Sequence, residues 1–63
     1  MKLKDVLKVI QDFQKVEICY KMSDTVCYLG SAEYALKLNH YILKSDVVFC
    51  KVYRDSTLYI IIK

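Results

Sequence analysis

The chain has 63 residues, 56% hydrophobic and 27% charged, with one glycine and no proline. That composition fits one folded domain over residues 1–63 and excludes a disordered chain, which needs low hydrophobicity and many breakers. Ten basic residues against seven acidic leave a net charge of +3, with nine lysines scattered among acids rather than gathered into an arginine-rich stripe for nucleic acid.

Leu3, Val6, Leu7 and Ile10 recur at helical spacing and predict a short first helix, with Lys4, Asp5, Lys8 and Asp12 on its opposite side. Residues 15–21 alternate, placing Val16, Ile18 and Tyr20 on one face and Glu17 and Cys19 on the other, which predicts a half-buried strand. Met22, Ser23 and Asp24 form a turn, because Ser and Asp bond their own backbone. Residues 25–29 return as a second strand whose register the pattern leaves open. One register puts Val26 and Tyr28 on the core face, and a slip of one residue exchanges them for Cys27 and Leu29. If Lys21 pairs with Thr25, Cys19 and Cys27 lie directly opposite and could oxidise on storage.

Gly30 ends that strand, and Ser31 is a suitable N-cap for a second helix over residues 32 to about 43, with Glu33 in its first turn. Residues 44–46 close this helix. Residues 47–63 then form a hairpin turning at residues 54–57. Val48, Cys50 and Val52 fall on one side of it with Leu58, Ile60 and Ile62, and Phe49, Tyr53, Tyr59 and Ile61 fall on the other. The expected fold is α+β, in the order α-β-β-α-β-β, with a four-stranded antiparallel sheet and two helices on one face.

A domain of this size closes one thin core, burying only about 60% of its unfolded surface. The second apolar face of the last hairpin must therefore go into a dimer, a partner protein or a second layer of the fold. Six tyrosines strengthen this expectation, since Tyr joins a large apolar ring to a polar tip. Phe49, Tyr53, Tyr59 and Ile61 are the candidate anchors of a partner-binding face, with Lys51 and Arg54 as its charged rim. The same residues could equally form a homodimer or core contact; stacking the bases of a single-stranded nucleic acid is the lesser alternative, since the charge stripe it needs for phosphate is not visible.

Catalytic chemistry is not expected. Cys19, Cys27 and Cys50 are an odd set without CxxC spacing, which argues against a disulfide framework and for a reducing cytoplasm. His40 is the only histidine, so no metal set is expected, and no nucleophile motif accompanies it. The seven carboxylates are spread over helix ends, turns and faces without a tight pair. No cofactor motif is present. The start of the chain is too charged and periodic for a signal peptide, and the longest apolar run, residues 58–62, falls far short of the ~20 residues that span a bilayer. The expectation is a soluble intracellular protein.

The opening Met1-Lys2-Leu3-Lys4-Asp5-Val6-Leu7, the strand Val16-Glu17-Ile18, the junction Gly30-Ser31-Ala32 and the ending Asp55-Ser56-Thr57-Leu58-Tyr59-Ile60 carry a resemblance. Together they resemble the small αββαββ proteins encoded by phages and mobile elements of low-GC Gram-positive bacteria. The chain differs from that group in lacking Asp-Gly hairpin turns and in being basic and Tyr-rich rather than acidic. The resemblance implies a stand-alone domain in the cytoplasm of a bacterial host. There it would inhibit a host protein, such as a CRISPR effector, by occluding a surface, as anti-CRISPR proteins do. It transfers no catalytic residue.

Overall fold

A computed structural model describes residues 1–23 and 25–63. Asp24, in the expected first turn, lies outside the described residues. The elements are α1 (Leu3–Val9), β1 (Lys15–Tyr20), β2 (Val26–Ser31), α2 (Ala32–Ala35), α3 (His40–Leu43), β3 (Val47–Val52) and β4 (Leu58–Ile62).

In α1 the helical spacing holds: Leu3, Val6 and Leu7 are buried, Ile10 packs against them, and the Lys2 N–H donates to the Asp5 carboxylate at 3.3 Å. The single second helix expected over residues 32–43 is instead two short ones. Asn39 breaks it. Its side-chain oxygen accepts from the Tyr41 N–H at 2.7 Å and so starts α3 afresh, an N-cap role for which Asn is well suited. Ser31 stands at the N-cap of α2, but its hydroxyl makes no cap bond. The first N–H groups of α2 are satisfied by the segment between α1 and β1, with Ala32 donating to the Gln14 carbonyl at 2.8 Å and Glu33 to the Asp12 carbonyl at 2.9 Å.

The four strands form one sheet in the order β2-β1-β4-β3. Both hairpins are antiparallel, but β1 and β4 run parallel at the centre, so the sheet is mixed rather than wholly antiparallel. The connection through α2 and α3 accounts for this. It leaves one edge strand, β2, and crosses to the other edge strand, β3, entering it in the same direction. The second hairpin therefore docks with β4 alongside β1. The most apolar segments of the two hairpins become the middle of the sheet, where Val16, Ile18, Ile60 and Ile62 are fully buried.

Those four side chains, with Leu3, Val6, Leu7, Ala32 and Ala35, are the buried core. A fully buried aliphatic side chain contributes about 1.5–3 kcal/mol, so stability rests on few residues. Tyr20 and Tyr28 pack partly buried against this core. The core side of the sheet reads across its strands as Gly30, Val16, Leu58, Val52 and, one row on, Tyr28, Ile18, Ile60, Cys50. The helical layer covers the first three strands and stops short of β3, where Val52 is 66% exposed.

A bulge between Ile18 and Cys19 resolves the register of the first hairpin. Ile18 pairs with Tyr28 and Cys19 with Val26, leaving Cys27 as the extra residue. Cys19 therefore lies opposite Val26 rather than Cys27, and among the described residues no disulfide forms. In the second hairpin Ser56 donates to the Tyr53 carbonyl at 3.0 Å, Tyr53 donates to the Thr57 carbonyl at 2.9 Å, and Ser56 takes φ of 70°. This is a three-residue loop built on a tight turn followed by a left-handed residue. Among the described residues no helix is long and apolar enough to cross a membrane.

Candidate interaction surface

The face of the sheet away from the helices is built in two rows by strand pairing. Leu29, Glu17, Tyr59 and Lys51 form one row across β2, β1, β4 and β3, and Val26, Cys19, Ile61 and Phe49 form the next. Period-two alternation sends these side chains to the side opposite Val16, Ile18, Ile60 and Ile62. Tyr53 follows Lys51 on the same face and stacks on Tyr59, with ring centroids 5.3 Å apart and planes inclined by 22°. The Lys51 ammonium lies 5.6 Å from the Tyr53 ring centroid, within range of a cation–π attraction.

Five of the six residues expected in a binding face are therefore brought together: Phe49, Lys51, Tyr53, Tyr59 and Ile61. Phe49 is 48% exposed and Tyr53 37%, while Tyr59 and Ile61 are half-buried among their cross-strand neighbours. Arg54 is in the hairpin loop, off the pleat, and among the described residues nothing ties it to the aromatic row.

Glu17 and Cys19 sit in the middle of this face and are additions to the expected set. Alternation along β1 already turned them away from the core. Their place beside Tyr59 and Ile61 depends on the parallel pairing of β1 with β4. The Cys19 thiol lies 3.7 Å from the Glu17 carboxylate, and at 5% exposure it is buried although it belongs to the open face. A hydrogen bond with Cys19, then desolvation and the negative charge of Glu17 among its neighbours, push the Tyr59 phenol above its usual range. Desolvation, followed by the charge of Glu17, raises Tyr53 as well. Glu17 beside the Cys19 thiol supplies the opposite of the electropositive setting in which reactive cysteines are found.

Elsewhere the chemistry-bearing groups stay dispersed. His40 is exposed at the start of α3, edge-on to Tyr41 at 6.0 Å. Among the described residues there is no cluster of three metal-ligating side chains and no pocket. Tyr34 and Tyr41, exposed on the helical layer, each carry a lysine over the ring: Lys37 at 5.1 Å and Lys44 at 5.5 Å. Lys2 and Asp46 form an ion pair at 2.8 Å where the start of the chain meets the start of β3.

Comparison with protein families, with curated proteins and with solved structures finds no match to this chain.

Proposed function

We propose that this chain is a small non-enzymatic interaction protein that acts by stoichiometric binding to another protein through its open sheet face. The observation that carries this reading is the stacked Tyr53–Tyr59 pair, flanked by Phe49 and Ile61 on a face that no helix covers. Aromatic rings, Tyr above all, are among the residue types that dominate binding energy in protein interfaces, and a lysine at the margin suits their polar rim. The more specific identity of the partner, a bacterial host protein of the defence kind, rests on the resemblance to phage-encoded proteins.

A nucleic-acid-binding reading has one observation in its favour, the Lys51 ammonium over a ring of the stacked pair. Glu17 in the middle of the same face weighs against it, because a carboxylate there repels a phosphate backbone. A pull-down from bacterial lysate with tagged protein, with and without nuclease treatment, separates the two. A protein captured in both samples at a fixed ratio to the bait supports the interaction reading. Capture that disappears with nuclease, together with affinity falling steeply with salt, overturns it in favour of nucleic acid.

A further inference from the structure

β3 is exposed on both of its sides, with Val48, Cys50 and Val52 lying beyond the helical layer and Phe49 and Lys51 on the open face. Among the described residues its backbone has no partner along most of the outer edge. The Tyr53 N–H donates to the Thr57 carbonyl, which makes that residue pair a hydrogen-bonded one. Antiparallel alternation then makes Lys51–Tyr59 and Phe49–Ile61 hydrogen-bonded pairs too, and turns the N–H and C=O of Cys50 and Val52 away from β4. The start of the outer edge is already occupied. Val47 donates to the Met1 carbonyl at 2.8 Å, and the Leu3 N–H donates to the Ser45 carbonyl at 2.9 Å. The open stretch is residues 48–52, bounded by Met1 at one end and the hairpin loop at the other. It contains no proline, and the bulge in β3 lies at its beginning, between Val47 and Phe49, rather than across it. Of the usual devices that blunt an edge strand, proline is absent, and the bulge at Val48 and the charge of Lys51 stand on either side of an unprotected Cys50.

We propose that β3 pairs antiparallel with β3 of a second copy of this chain, across a two-fold axis at Cys50. Self-complementarity of the open stretch selects this occupant and this register. Centred on Cys50, residues 48–52 overlay their own copy from end to end. Val48 then faces the partner's Val52 on the core side, and Phe49 faces the partner's Lys51 on the open side, a ring against a cation. Centring one residue later would set Lys51 against the partner's Lys51, a destabilising pair of like charges. Centring one residue earlier would drive the partner strand into the place held by Met1. A two-fold axis normal to the sheet keeps both open faces on the same side, so the dimer presents two copies of the aromatic face on one eight-stranded platform. The contact is narrow compared with a standard interface, so the association is concentration-dependent. Each copy carries +3, so added salt strengthens it.

Sedimentation equilibrium under reducing conditions, from micromolar to millimolar protein, tests the pairing without interference from a disulfide. The wild type is expected to move from one chain mass towards two. Cys50→Lys, which sets two ammonium groups against each other at the axis, is expected to stay at one with an unchanged circular dichroism spectrum. A wild type monomeric throughout overturns the proposal, and so does a Cys50→Lys protein that dimerises like the wild type. Amide exchange of the unsubstituted chain is a check that needs no variant. Exchange at Cys50 and Val52 that slows as concentration rises supports the pairing, and exchange independent of concentration overturns it.

Discussion

The Tyr28 hydroxyl lies over Gly30 and donates to the Ser31 carbonyl at 2.7 Å, and a Cβ added at Gly30 would come within 2.6 Å of that oxygen. Gly30 does not have a positive φ, so it is required here by space and not by backbone conformation. Gly30→Ala must push the phenol off the Ser31 carbonyl, with an expected loss of about 1–3 kcal/mol by overpacking and a broken hydrogen bond. Tyr28→Phe removes the oxygen in the way and should cost about 1 kcal/mol by itself. The double variant should then be more stable than the sum of the single losses implies. Urea unfolding of the four proteins measures the coupling, and strict additivity would show that the two positions do not collide.

The two helix starts after β2 make an opposed pair. Asn39 caps α3 through its side chain, and Ser31 does not cap α2. Moreover, the Ser31 hydroxyl is buried without a hydrogen-bond partner among the described residues. Asn39→Ala should therefore lose about 1 kcal/mol, the usual cost of removing a cap. Ser31→Ala should leave stability unchanged or raise it, because an unsatisfied hydroxyl is removed and no bond is lost. Thermal unfolding of both variants gives the order, and a Ser31→Ala loss as large as that of Asn39→Ala would refute this account of α2.

What the sequence made legible was local. Helical spacing in α1, alternation in β1, β3 and β4, and the loop after Val52 each depend on neighbours a few residues apart, and the structure keeps them. The faces of the last hairpin follow from alternation, which is why Phe49, Tyr53, Tyr59 and Ile61 do share one side. The departures come from choices that depend on distant partners. Asn39 reads equally well as part of a helical stripe or as a cap, and only the path across the sheet decides between them. The extra residue at Cys27 is set by how β2 must lie to place Tyr28 against Ile18. The parallel β1–β4 pair, which brings Glu17 and Cys19 into the candidate face, joins segments about forty residues apart and leaves no mark in any local period.

Ser56 is the only non-glycine residue with positive φ among the described residues. A side chain in the left-handed region costs roughly 1–2 kcal/mol, and glycine is free of that cost. The Asp55 carboxylate already accepts from the Thr57 N–H at 3.0 Å, so the loop keeps its shape when Ser56 changes. Ser56→Gly is expected to stabilise the protein by about 1 kcal/mol, less the entropy a glycine loses on folding, and Ser56→Val to destabilise it. Equal melting temperatures for the two variants would contradict the left-handed assignment.

Two exposed carboxylates contribute to the acid limit. The Lys2 ammonium, through its hydrogen bond and then its charge, holds the Asp46 carboxyl below the usual aspartate range. The Thr57 N–H, donating to its carboxylate at 3.0 Å, does the same for Asp55. A carboxyl depressed in the folded state contributes stability that is fully present above its unfolded value, about 3.9, and lost as pH falls through its folded value. Stability should hold from neutrality down to about pH 5 and decline below about pH 4. Replacing Asp46 and Asp55 together by Asn should lower the plateau and flatten that decline. Denaturant midpoints between neutrality and pH 2 provide the check, and an undiminished acid slope in the double variant would assign it to other groups.

The open face makes the sharpest functional prediction, because its anchors differ in what else they hold. Phe49 is on the edge strand, half exposed, with Ile61 as its cross-strand neighbour, so Phe49→Ala should leave the fold intact. Tyr59 sits on an interior strand, stacked on Tyr53 beside the buried Cys19, so Tyr59→Ala should lower stability as well as binding. If the aromatic face is the contact, each change removes an anchor worth about 2 kcal/mol or more, a loss of roughly thirtyfold in affinity for the captured partner. Lys51→Ala, at the margin, should act mainly on the association rate and on its salt dependence. Tyr59→Phe separates the ring from its hydroxyl. It keeps the stack, loses the bond with Cys19, and should retain most of the affinity. Calorimetric titration of the four variants, each checked for folding by circular dichroism, reads the affinities, and stopped-flow association at low and high salt reads the Lys51→Ala rate. Undiminished binding by a folded Phe49→Ala together with a folded Tyr59→Ala would move the contact off this face.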